Sequence, residues 1–172
     1  MAIELADRLR EREKFLKWPN KQPELFIGSS KEGVSVAREI QSGLSHDDML
    51  VSVWTDGVFG ASRTSVESLL EAVDRSDFAV LILTADDIVV SRDCEQTVPR
   101  DNCVFELGLF MGALGRERTF IVKPRGIVVK APSDLLGVAP IEYASGKSET
   151  LRVRVASVCN DVRKIVGELG PK

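Results

Sequence analysis

Six consecutive apolar residues, Phe78 to Leu83 (FAVLIL), constrain this chain more than any other stretch. A half-exposed strand alternates apolar and polar residues. A run without a polar face is expected of a strand covered on both sides, as in a parallel sheet. The flanking sequence supplies partners and covers. Leu25 to Ile27 is a second short apolar run, ending in Gly28-Ser29-Ser30. Val34, Ala37, Ile40 and Gln41 then recur at helical spacing as far as Gly43, a C-cap candidate. Leu50 to Trp54 is rich in β-formers and stops at Asp56-Gly57, a turn signal. Ser62 to Val73 places Val66, Leu69, Leu70 and Val73 on one helical face. Thr84 to Arg100 reads as a polar loop, Asn102 to Leu114 as a helix, and Thr119 to Val122 as the fourth strand. Ile127 to Val129 is a candidate extra strand, Ile141 to Tyr143 a fifth, and Leu151 to Val166 a closing amphipathic helix.

Strands alternating with helices at this spacing predict parallel pairing through right-handed crossovers. The expected fold class is α/β: a flavodoxin-like three-layer sandwich around a central five-stranded parallel sheet. Ligands of such sheets sit beyond the C-terminal strand ends, which here means the loops after Ile27, Trp54 and Leu83. A length of 172 residues fits one domain. The first residues differ in character. ADRLREREKFLKW is dense in alternating charge and halts at Pro19-Asn20. Residues 1–22 are therefore expected to be an N-terminal arm or linker helix, and residues 23–168 the domain.

Several function classes are disfavoured. A net charge of −3 leaves no electrostatic footprint for nucleic acid. Cys94, Cys103 and Cys159 have neither disulfide-framework nor zinc-site spacing. There is no signal-peptide pattern and no apolar run of membrane-spanning length, so a cytoplasmic protein without membrane partners is expected. His46 has no second ligand at suitable spacing, and Asp86-Asp87 follows a strand without a phosphate-loop partner. No metal is expected, and neither a P-loop nor a GxGxxG motif is present.

Glu106 is the only charged residue in VFELGLFMGAL, Val104 to Leu114. A helix apolar nearly all round reads as buried, and desolvating a carboxylate costs several kcal/mol. The dipole near the helix start and Arg100, just before it, are candidate compensation. Two readings follow: a carboxylate held there for stability, or one at the floor of a cleft. The second is preferred.

FIGSSKEG (Phe26 to Gly33), VWTDGVF (Val53 to Phe59), FAVLILTADD (Phe78 to Asp87), RDNCVFELGLFMGALGR (Arg100 to Arg116) and APSDLLG (Ala131 to Gly137) occur in that order. Over Pro23 to Tyr143 the chain resembles the bacterial TIR-like domains fused to cyclic-nucleotide sensors in CBASS and Pycsar antiphage defence, including the TIR of bacterial STING proteins. The resemblance implies a TIR fold and hydrolysis of NAD+ to nicotinamide and an ADP-ribose product, with Glu106 as the essential glutamate. NAD+ is then a substrate and no cofactor is needed. It also implies self-association into oligomers or filaments and a cyclic-nucleotide sensor domain in the full-length protein. Cys103 departs from the small aliphatic residue common in relatives.

The chemistry agrees with a single carboxylate. Nicotinamide leaves as a neutral pyridine and needs no acid, unlike the leaving group of most glycosidases. One fixed negative charge stabilises the oxocarbenium-like transition state. By resemblance Phe26 contacts substrate, and the Gly28-Ser29-Ser30 turn lets backbone N–H groups approach phosphate; a tight turn beside a core Phe is the alternative. Arg100 is a candidate clamp on the diphosphate or a ribose, or a surface ion pair. Trp54 is a candidate for stacking on NAD+ or on a neighbouring subunit, or is buried in its own domain. Asp134 matches the family's Pro-Ser-Asp-Leu motif and is either a substrate contact or an N-cap. Two other classes share this pattern: a non-catalytic TIR interaction module and a nucleoside deoxyribosyltransferase-like enzyme.

Overall fold

A computed structural model describes residues 21–55, 65–91, 94–127, 138–146 and 148–172. Its elements are β1 (Glu24–Ser29), α1 (Val34–Gly43), β2 (Leu50–Thr55), α2 (Ser65–Arg75), β3 (Phe78–Ile82), β4 (Asp87–Ser91), β5 (Cys94–Val98), α3 (Asp101–Leu114), β6 (Thr119–Pro124), β7 (Ile141–Tyr143), α4 (Leu151–Arg154) and α5 (Ala156–Leu169). Five strands form one parallel sheet in the order β2-β1-β3-β6-β7. The expected α/β class and flavodoxin-like layering hold.

The reason lies in strand alternation. Leu25 and Ile27 of β1, with Phe78, Val80 and Ile82 of β3, face one core shared with Val36, Ala37 and Ile40 of α1 and Val158, Val162 and Val166 of α5. Phe26, Ala79 and Leu81 face the other, against Leu69, Ala72 and Val73 of α2 and Leu107 and Phe110 of α3. Every β3 side chain is buried, so its FAVLIL run needs no polar residue. Burying each large aliphatic or aromatic side chain contributes about 1.5–3 kcal/mol.

Four expectations change. The loop from Thr84 to Arg100 contains an antiparallel hairpin, β4–β5, paired from Asp87↔Val98 to Ser91↔Cys94. Its charged residues hid the β-formers Ile88, Val89, Val90, Thr97 and Val98, which the ladder sets opposite one another only at Ile88↔Thr97. β1 runs on to Ser29, because Gly28 is paired with Trp54 on one side and Leu81 on the other. The turn therefore begins at Ser30. The closing helix is two segments meeting at Val155 and reaches Leu169. Finally, α3 is not buried all round. Cys103, Glu106, Leu107, Phe110 and Leu114 form its buried stripe, while Phe105 is 53% exposed. A helix lying on a sheet covers one side only, whatever its composition.

The far end of the sheet is clasped by Asp77, which is 1% exposed. Its carboxylate accepts the Glu24 N–H at 3.0 Å, the Lys172 N–H at 2.6 Å and a Lys21 ammonium hydrogen bond at 2.9 Å. Arg118 donates to the Gly170 carbonyl at 2.8 Å and lies over the Phe78 ring. Most of the predicted arm (residues 1–20), the loop after Thr55 (56–64), the end of the extra-strand candidate (128–129) and Asp134 lie outside the described residues. Among the described residues no helix is long and apolar enough to cross a membrane, and no His/Cys/Asp/Glu group is arranged to hold a metal.

Candidate active site

Glu106 is the sixth residue of α3, on the stripe that faces the sheet, and is 5% exposed. Its spacing from Cys103, Leu107 and Phe110 is that of one helical face, so the periodicity that buries the helix buries the carboxylate too. It meets β1 at Gly28: an ideal Cβ there would lie 2.8 Å from Glu106 Oε2. With α3 starting at Asp101, Asp101 rather than Glu106 occupies the first turn, where the dipole acts most strongly.

Aromatic and aliphatic groups surround this contact. Phe26 is 1% exposed, with its ring centroid 4.3 Å from that of Phe110 and 6.2 Å from that of Trp54. Leu81 of β3 is fully buried beside Gly28. Trp54, half-buried on β2 at the sheet edge, also borders a cavity of about 320 Å³ with Phe26, Ser52 and Arg75. A carboxylate in such apolar walls acts through a low local dielectric, which strengthens its field on any cation placed near it.

The polar part lies at the neighbouring strand ends. The Ser30 and Thr84 hydroxyls are hydrogen-bonded at 3.1 Å, joining the ends of β1 and β3. Ser30 Oγ also accepts the Gly33 N–H at 3.3 Å. Ser29, 2% exposed, alternates to the opposite face, where its Cβ lies 3.2 Å from the place a Gly33 Cβ would take. Arg100 leads into α3 in an extended conformation. Its guanidinium pairs with Glu32 at 3.3 Å and Asp87 at 3.4 Å instead of with Glu106. The expected compensation of Glu106 by Arg100 is thereby corrected: Arg100 ties the β1–α1 turn to the hairpin.

Phe26, Gly28, Trp54 and Glu106 are thus brought together, Ser30 and Arg100 stand at adjoining loops, and Ser29 turns away. Leu81, Phe110, Thr84 and Glu32 escaped the sequence reading, and Asp87, weighed there only as a metal ligand, is instead an ion partner of Arg100. Phe110 had a signal, its four-residue spacing from Glu106; the ion partners of Arg100 had none, being 68 residues away and in an unrecognised hairpin. Cys103 and Cys159 are buried, and burial pushes the Cys159 thiol above its ordinary range. Burial likewise raises the Tyr143 phenol at the end of β7.

Residues 24–145 match the family model for the TIR domain of the CAP12/Pycsar effector proteins. The Pycsar effector protein PaPycTIR of Pseudomonas aeruginosa is 45% identical over 98% of this chain and 55% of its own length. BcPycTIR of Burkholderia cepacia is 39% identical over 99% and 56%. CD-NTase-associated protein 12 of Flavobacterium daejeonense is 36% identical over 85% and 48%. The chain thus spans about half the length of these curated relatives. Among solved structures, a diflavin flavoprotein A3 from Nostoc sp. superposes with a TM-score of 0.52 at 15% identity, covering 87% of this chain and 94% of that one. That likeness concerns the fold alone.

Proposed function

Since the chain belongs to the CAP12/Pycsar effector TIR-domain family, we propose that it is an NAD+ hydrolase that releases nicotinamide and ADP-ribose. The observation that carries this reading is Glu106, a carboxylate set in the apolar core at the sheet end where ligands of this fold class bind. Placing a carboxyl group in an apolar wall costs free energy, which a catalytic role would account for.

In the proposed reaction the nicotinamide–ribose bond breaks with its electron pair leaving on the pyridine nitrogen. Glu106 stabilises the positive charge that develops on the ribose. Water adds to the anomeric carbon and loses a proton, completing ADP-ribose. Phe26 and Phe110 keep the carboxylate's surroundings dry, and Trp54 offers an aromatic face to the ligand. Arg100 is the cation nearest the role of diphosphate clamp, reached by exchanging Glu32 or Asp87 for phosphate oxygens.

The whole protein is proposed to act in antiphage defence, in the cytoplasm, with a cyclic-nucleotide sensor domain and with activation by self-association. Val66, Leu70, Phe105 and Ile88 are 46–67% exposed and would be available to a neighbouring subunit. The same surface suits the second reading, a non-catalytic interaction module. Nicotinamide release, measured over a range of protein concentrations, separates them. The hydrolase reading expects release that rises faster than protein concentration and is lost in Glu106→Gln at unchanged melting temperature. Near-parental turnover in Glu106→Gln would falsify the assignment.

A further inference from the structure

Gly28 lies inside β1 with both neighbouring strands paired to it, a place where glycine weakens a strand. It is not among the described glycines with positive φ, which are Gly115, Gly126, Gly146 and Gly170. Conformation therefore does not call for glycine here. Space does. An ideal Cβ would stand 2.6 Å from Leu81 Cδ1, 2.8 Å from Glu106 Oε2 and 3.0 Å from Phe26 Cε1. Of these neighbours, the Phe26 ring and Leu81 are locked in the core between sheet and helices, where packing resists adjustment. At 2.8 Å the Glu106 oxygen is closer than side-chain carbons approach their neighbours, so a methyl group at Gly28 forces the carboxylate to shift.

We infer that Gly28 is a positioning residue: its missing side chain lets the Glu106 carboxylate rest directly against β1, and even a methyl group there displaces it. This rests on the proposed catalytic role of Glu106. It also reassigns Gly28, whose expected part was to admit phosphate to a turn; the residue is strand, and what approaches it is a carboxylate.

The test compares Gly28→Ala, Leu81→Val and the double variant with the parent. Leu81→Val removes the Cδ1 atom that the new methyl meets, so the double variant keeps only the contacts with Glu106 at 2.8 Å and the Phe26 ring edge at 3.0 Å, and the Glu106 resonance reports which of them yields. Two quantities are read: steady-state NAD+ cleavage, and the carbon-13 resonance of the selectively labelled Glu106 carboxyl group. Misplacing a reacting group by about 1 Å costs on the order of 100-fold in rate, so the double variant should lose about that much kcat relative to Leu81→Val, with KM within about threefold. Its carboxyl resonance should move away from that of Leu81→Val. A double variant with the kcat and the resonance of Leu81→Val overturns the inference, because the cost of Gly28→Ala then lies in core packing. Should the parent release no nicotinamide, the catalytic reading falls, and the resonance comparison still decides whether Gly28 positions the carboxylate.

Discussion

Replacing Phe26 with alanine removes a ring that is 1% exposed and wedged between Phe110 and Trp54. By resemblance this residue contacts substrate; by burial it is a wall of the core. The two roles predict different losses. Deleting a fully buried Phe side chain costs about 3–5 kcal/mol, from lost transfer energy and the cavity left behind. For a chain of this length each kcal/mol lowers Tm by roughly 2–4 °C, so the drop should be roughly 6–20 °C. Phe105→Ala is the control. That side chain is 53% exposed on α3, and a surface change should stay within about 0.5 kcal/mol, or roughly 2 °C. Thermal unfolding of parent and both variants at one low protein concentration is the assay, with nicotinamide release measured beside it. A Phe26→Ala variant that melts with the parent and differs only in KM would refute the core-wall reasoning and restore a direct substrate contact.

Two further predictions concern charge. Asp77→Asn should lower Tm by roughly 3–12 °C near neutral pH. An amide that keeps its oxygen for the Glu24 N–H turns its NH2 toward both the Lys172 N–H and Lys21. Lys21 is half-exposed and adds little, so the loss is that of about one hydrogen bond to a charged group, about 1.5–3 kcal/mol. Burial pushes the Asp77 carboxyl up, but the Glu24, Lys21 and Lys172 donors outweigh it and hold it below the usual carboxylate range. Its stabilisation is present above the unfolded pKa and is lost as pH falls through the folded one. The Tm gap between parent and variant should therefore close in strong acid; a gap constant down to that range counts against the clasp. Glu32→Gln should leave Tm within roughly 4 °C, since an exposed ion pair contributes only about 0–1 kcal/mol. It should lower KM for NAD+ severalfold if Arg100 serves the diphosphate, and an unchanged or higher KM removes Arg100 from that role.

The order of the five sheet strands and the helices between them, and the layered α/β class, could be read from the sequence, because both depend on local periodicity; the β4–β5 hairpin could not. FAVLIL announces a strand covered on both sides, and the spacing of Cys103, Leu107 and Phe110 announces a packed helix carrying Glu106 inward. The one charge in that helix identified itself by composition alone. Only the tertiary structure decided what the carboxylate touches. The 2.8 Å between Oε2 and a notional Gly28 Cβ comes from sheet order, which sets β1 beside β3 and beneath α3. It likewise decided that Phe26 is wall and Phe105 surface, though both are phenylalanines in apolar segments. Arg100 was placed just before the helix by the sequence, but its partners Glu32 and Asp87 arrive from two other loops. Periodicity fixes which side of an element is apolar; which groups meet across elements depends on sheet order and strand register, and no short stretch of sequence encodes these.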